Sequence, residues 1–138
     1  MNIGVSACLI GENCKYNGGN NYSEKVMKYL EGHNVVPVCP EVLGGLPVPR
    51  KTAEIAFGTV RNEDGTSVDL QFRTGAQKAL KILLDNQVKL VILQSRSPSC
   101  GAKKIYDGTF SGTTIPGKGI FAKLLEEHGI ETIDIEDL

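Results

Sequence analysis

The residues best equipped for chemistry in this chain are its four cysteines, Cys8, Cys14, Cys39 and Cys100. None falls in a Cys-x-x-Cys pair, the spacing of zinc ribbons and thioredoxin-type redox sites. Any joint site must therefore be assembled by the fold. The N-terminal stretch MNIGVSACLIGENC has no basic segment before its apolar part, so no secretory signal is expected and a cytoplasmic protein is. In a reducing compartment thiols serve as metal ligands, catalytic groups or inert core residues. Three thiolates can hold zinc with an open fourth position. They can also hold three irons of a [4Fe–4S] cluster and leave the fourth iron without a protein ligand. An all-sulfur set favours these soft partners over magnesium or calcium. His33 follows the Gly32 helix stop and His128 sits in the last turn of the final helix. Both read as surface residues, which leaves Cys–His catalysis weakly supported.

The elements that must position the thiols alternate between strand and helix. Asn2 to Ser6 reads as a first strand, followed by the glycine-rich loop ACLIGENCKYNGGN. Ser23 is suited to cap a helix running to about Leu30, with Val26, Met27 and Leu30 on one face and Gly32 beyond it. Val35 to Val38 reads as a second strand, placed away from the sheet centre by Pro37. Residues 40–54 are too apolar for a tether and read as an ordered loop. Phe57 to Leu70 resembles a hairpin turning at Asp64-Gly65. Thr74 and Gln77 fit a capping box for a helix to about Asn86, with Ala76, Ala79, Leu80, Leu83 and Leu84 buried. Lys89 to Gln94 is a continuous apolar run, as in a strand covered on both faces. Tyr106 to Phe110 suggests a second small hairpin. Gly119 to His128 reads as a last helix stopped by Gly129, and Glu131 to Ile135 as a last strand. The pattern predicts an α/β fold over residues 1–138: a single compact domain, a Rossmann-like, mostly parallel sheet with helices on both faces and small β-hairpin insertions.

On that scaffold Cys8, Cys39 and Cys100 each fall just beyond the carboxyl end of a parallel strand. Open α/β sheets bind ligands in the crevice at those ends. One buried cysteine is ordinary core; three at matched positions point to a shared site.

Composition removes other classes. Charged residues are 22% of 138 and net charge is −1, which argues against nucleic-acid and membrane partners. No apolar stretch approaches the roughly 20 residues of a membrane span. Hydrophobic residues at 41% suffice for a core and exclude a disordered chain.

The motifs, taken in order, are Cys8-Leu9-Ile10-Gly11 through Cys14-Lys15-Tyr16-Asn17-Gly18, Cys39-Pro40-Glu41 with Gly44-Gly45-Leu46 and Pro49-Arg50, Ser97-Pro98-Ser99-Cys100-Gly101, and Pro116-Gly117-Lys118-Gly119. Over essentially its whole length the chain thus resembles the 2-thiouracil desulfurase family. The pairing of CPE with SPSCG is the specific part. Departures are Lys15 and Asn17, where the family commonly carries Arg and Asp. The resemblance implies a [4Fe–4S] cluster on Cys8, Cys39 and Cys100, one iron without a protein ligand, and catalytic roles for Glu41 and Ser97. It implies non-redox removal of sulfur from a small thiolated base or nucleoside such as 2-thiouracil.

The chemistry of the residues agrees. A thiocarbonyl sulfur is soft and suits an exposed iron. Glu41, two residues from Cys39, shares its crevice and can act as general acid/base. Ser97, three residues before Cys100, can position water or relay a proton, or simply form a Ser-Pro turn. Ser99 can bond a cluster sulfur. Cys14 lines the site, closes the cluster as a fourth ligand, or holds the loop as a buried thiol, which the resemblance favours. Arg50 reaches a substrate carbonyl or forms a surface salt bridge. Lys118 resembles an anion site at a helix N-terminus but lacks P-loop spacing. Two other classes remain: a structural or sensing module with zinc or a closed cluster, and a metal-free nucleotide-binding module. Nothing in the sequence speaks to oligomeric state.

Overall fold

The computed structural model describes every residue, Met1–Leu138. Four parallel strands form its central sheet: β1 (Asn2–Ser6), β2 (Asn34–Val38), β5 (Leu90–Leu93) and β8 (Glu131–Asp134), in the order β2-β1-β5-β8. β5 is buried along its whole length, as its continuous apolar run requires. β2, with Pro37, lies at an edge, where a missing N–H interrupts no second ladder.

Helices cover both faces. α1 (Glu24–Leu30) packs Val26 and Leu30 on Ile3, Val5, Leu90 and Ile92. The Ser23 hydroxyl accepts the Val26 N–H, as its cap assignment anticipates. Met27 stays largely exposed, 38%. On the other face α3 (Asp69–Asp85) and α4 (Ile120–Glu127) bury Ala76, Ala79, Leu83, Phe121 and Leu125 on Val91 and Leu93. Gly4 lies under α3, where a Cβ would meet the Leu83 side chain at 2.8 Å and make it shift. Each large buried side chain contributes about 1.5–3 kcal/mol.

Three expectations are corrected. α3 begins at Asp69, not at a Thr74 cap. Phe72 and Gly75 are buried on its first turns, and this packing extends the helix past the local capping signal. Leu84 is half exposed, outside the stripe. Within residues 40–54 a short helix, α2 (Pro40–Leu43), opens on a proline at its first position. A hairpin the sequence did not announce, β3 (Ala53–Ala56) with β4 (Thr59–Asn62), turns at Phe57-Gly58, while the expected antiparallel return around Asp64-Gly65 also forms. Phe57 and Gly58 have positive φ, 52° and 77°, the geometry of a two-residue hairpin turn whose usual signature is Asn-Gly or Asp-Gly. Asp64-Gly65 makes the following turn, which brings Ser67 back beside Arg61. The second hairpin pairs β6 (Lys104–Tyr106) with β7 (Thr114–Pro116) across a longer loop, of which the expected Tyr106–Phe110 segment forms only the start. No helix is long and apolar enough to cross a membrane.

Connections from β1 run to β2 on one side, and those from β5 run to β8 on the other. Loops leaving β1 and β5 therefore diverge above their carboxyl ends. The β3–β4 hairpin and the segment 44–52 wall the opening.

Candidate active site

A cavity of about 1020 Å³ lies at the carboxyl ends of β1, β2 and β5, at the upper end of the usual range for ligand sites. Cys8, Cys14, Cys39, Glu41, Ser97 and Cys100 all line it. Cys8 sits in a single 3-10 turn, Ala7–Ile10, directly after β1, and Gly11 ends that turn at φ 100°. Cys39 is the residue preceding α2. Cys100 is buried in the turn after β5. Three strand ends thus deliver three thiols to one space, and α2 carries Glu41 into the same space one residue after Pro40.

Every one of these sulfurs faces a donor. The Asn21 amide donates to Cys8 Sγ at 3.6 Å. The Ser6 hydroxyl bonds the Cys100 sulfur while accepting the Gln94 N–H at 3.0 Å. The Cys14 thiol and the Val42 N–H bond the Cys39 sulfur. Cys39 Sγ also lies 3.9 Å from the Cys14 carbonyl oxygen. Burial raises the Cys100 thiol well above its ordinary range, and negative charge on Glu41, Cys8 and Cys39 adds to this. Burial likewise raises Cys8, against the Asn21 hydrogen bond. Within the Cys14–Cys39 pair, donation from Cys14 lowers Cys39 and raises Cys14.

The donor set fits an iron–sulfur cluster better than one ion. No three His, Cys, Asp or Glu side chains stand close enough to grip a single metal ion. Zinc draws its thiolates together at Zn–S bonds of about 2.3 Å, whereas a cluster takes each ligand on a different iron and spreads them. N–H and O–H donors aimed at sulfur are the groups that tune such clusters. Ser99, expected to bond a cluster sulfur, is fully buried and does not line the cavity.

Glu41 is the one carboxylate among the thiols, its side chain 17% exposed. Burial pushes its carboxyl up, and the charge and hydrogen bond of Arg50 only partly hold it down. Arg50 is not a surface residue as one expectation had it. Its side chain is 8% exposed and bonds Glu41 Oε2 at 2.6 Å. Ser97 Oγ accepts the backbone N–H of Ser99 and of Cys100, both at 3.0 Å. That makes it the knot of the Cys100 turn, with only its own proton left to donate.

The remaining expectations resolve simply. Cys14 lines the cavity rather than sitting in the core. His33 and His128 are exposed. Lys118 donates to the Ala102 carbonyl at 3.0 Å and pairs with Glu126, outside the cavity. Sequence reading missed Asn21, Ser6 and the Arg50–Glu41 pair. Only Ser6 left a local signal, a polar residue closing a buried strand.

Comparison with known proteins finds three matches. A family model described as 2-thiouracil desulfurase matches residues 3–137. An uncharacterized protein of Bacillus subtilis (strain 168), YbbK, is 40% identical over 144 residues, covering 97% of this chain and 95% of that protein. The solved structure of the [4Fe-4S]-dependent thiouracil desulfidase TudS superposes with a TM-score of 0.92 at 38% identity, over 99% of this chain and 92% of that one.

Proposed function

The chain belongs to the 2-thiouracil desulfurase family, and from that premise we propose an iron–sulfur enzyme that hydrolytically removes sulfur from a thiolated pyrimidine such as 2-thiouracil. The observation that carries this reading is the convergence of three strand-end thiols and one carboxylate in a single cavity.

Cys8, Cys39 and Cys100 would hold a [4Fe–4S] cluster, one ligand short of four, so that one iron would be left for substrate. When bound, such a cluster supplies a soft Lewis acid for a thiocarbonyl sulfur. Asn21, Ser6 and the Val42 N–H hold the three ligand sulfurs by hydrogen bonds.

Glu41 accepts a proton from water as the water oxygen bonds the thiocarbonyl carbon. It returns that proton as the carbon–sulfur bond breaks. One water enters, the oxo base and hydrogen sulfide leave, and no electrons are exchanged. Ser97, its lone pairs committed to Ser99 and Cys100, orients the water by donating its remaining proton. The volume of about 1020 Å³ leaves room for a small base or nucleoside beside the cluster.

Anaerobic reconstitution with iron and sulfide, followed by metal counting and a sulfide-release assay on 2-thiouracil, tests the reading. The expected result is a brown protein with about four irons per chain that yields uracil and sulfide together. A colourless protein with stoichiometric zinc and no sulfide release after reconstitution refutes it.

A further inference from the structure

We infer that Arg50 is the positioning residue of this site: its guanidinium clamps one oxygen of Glu41 and so assigns proton transfer to the other. The inference rests on reading Glu41 as the proton-transfer group.

Arg50 reaches several segments at once. Its Nη2 donates to Glu41 Oε2 at 2.6 Å and to the Cys14 carbonyl at 2.9 Å. Its Nη1 donates to the Pro47 carbonyl at 3.3 Å. Its backbone N–H donates to the Tyr16 carbonyl at 2.7 Å. The side chain therefore ties α2, the Cys14–Tyr16 loop and its own loop into one wall of the cavity. A planar fork of five donors can make such a set of bonds from one fixed plane.

The consequence for Glu41 is directional. Oε2 is taken. Oε1 accepts no hydrogen bond from the chain, and it is not among the side-chain oxygens sealed off without a partner. It is the oxygen left open to the cavity. No other cation lining the cavity substitutes for Arg50. Lys51 pairs with Asp64, Lys15 lies 5.7 Å from the Tyr16 ring centre, and Arg96 is exposed. A carboxylate among three thiolates, without that clamp, would swing away from them or lose its orientation.

The test compares Arg50→Ala, Arg50→Lys, Glu41→Gln and the Arg50→Ala/Glu41→Gln double variant as reconstituted holoenzyme. Arg50→Ala is expected to keep its iron and to show the wild-type change in the reduced-cluster EPR spectrum on adding 2-thiouracil. Its kcat is expected to fall about 10²-fold, the usual consequence of misplacing a reacting group by about 1 Å, with KM nearly unchanged. Guanidinium ion in the buffer restores part of the loss. Arg50→Lys, which keeps the charge without the fork, lies between the two. In the Glu41→Gln background Arg50→Ala costs nothing further. Wild-type kcat in Arg50→Ala overturns the inference, as do loss of iron, a change confined to KM, or a full additional loss on top of Glu41→Gln. Should Arg50→Ala fail to fold, Arg50→Lys at wild-type kcat is the overturning result and a kcat loss at full iron the supporting one. A Glu41→Gln enzyme that is fully active per cluster removes the Glu41 reading itself. An inactive Glu41→Gln beside a fully active Arg50→Ala removes only the clamp.

Discussion

Gly75 sets the distance between α3 and the helix that carries Glu41, and Gly75→Ala tests how finely that distance matters. A Cβ at Gly75 would lie 1.7 Å from the Pro40 carbonyl oxygen and 2.9 Å from the Gly44 nitrogen. Contacts under 3.0 Å are essentially never seen, so opening 1.7 Å to that limit moves α2 away by at least about 1.3 Å. α2 cannot slide sideways to avoid it, because Gly44 is packed against the Gln71 carbonyl, 2.0 Å from where its own Cβ would stand. Glu41 follows Pro40 within α2 and moves with it, whereas Cys39 directly follows β2 and is held by that strand. The atoms that must give way are backbone rather than the end of a flexible side chain, so overpacking costs about 3 kcal/mol or more, against about 1 kcal/mol of helix propensity that alanine gains. A net loss of about 2 kcal/mol or more lowers Tm by several degrees, and a domain of ordinary stability stays folded. Catalysis does not share that tolerance, since a shift of about 1 Å in a reacting group costs about 10²-fold. The expected result is a folded, iron-binding Gly75→Ala protein whose turnover per cluster is about 10²-fold below wild type. Thr74→Ala, on the exposed side of the same turn, is the control and keeps full turnover. Melting temperature, iron content and sulfide release on the same preparations check this. Gly75→Ala with full iron and wild-type turnover would refute the reasoning.

Cys8→Ala, Cys39→Ala and Cys100→Ala are each expected to abolish stable iron binding after anaerobic reconstitution, while Cys14→Ala keeps most of it; equal loss in Cys14→Ala shows a four-ligand site instead. Glu41→Gln should keep iron and lose about 10²–10⁴-fold in kcat, the range of general acid–base catalysis. Burial raises the Glu41 carboxyl above its ordinary 4.5, against Arg50, and the base works ionised, so kcat falls as pH drops through that raised value. A pH–rate profile in which Glu41→Gln retains the same acid limb contradicts this. Ser97→Ala strips the acceptor from two N–H groups of the Cys100 turn, at about 0.5–1.5 kcal/mol each. Iron should then be lost faster to a chelator, with Ser97→Thr restoring it; unchanged chelator resistance in Ser97→Ala rules out that knot.

The parts of the fold legible in the sequence are those where local signals agree with burial. β5 is apolar throughout and is central. Ser23 precedes an apolar face and does cap α1. Pro37 marks an edge strand. Cys8, Cys39 and Cys100 could be placed because each lies in the segment just after a parallel strand, Cys39 directly, Cys8 two residues on and Cys100 seven residues on in the turn tied by Ser97. The start of α3 was hidden because Phe72 and Gly75 are drawn into the helix by packing, while Thr74-x-x-Gln77 offers only a local alternative. The β3–β4 turn was hidden because Phe57 adopts a left-handed conformation that glycine or asparagine normally signals. Arg50 gave no signal at all: nine residues separate it from Glu41, and only the folded loop joins them.

That division also separates two functions of the site. The three thiols proposed as ligands sit beyond strand ends, Cys8 and Cys39 within two residues of a paired strand and Cys100 in a turn tied by Ser97. Glu41 hangs from a helix of four residues, far too short to persist by its own hydrogen bonds. It holds its place through burial of Pro40, packing of Leu43 on the core, backbone contact with α3 at Gly44 and Gly75, and the Arg50 clamp. Iron retention should therefore answer to the sheet ends and their sulfur donors, and turnover to the α2–α3 contact and Arg50. Substitutions in the second group are expected to give loaded but slow enzyme, and those in the first to give protein that never loads.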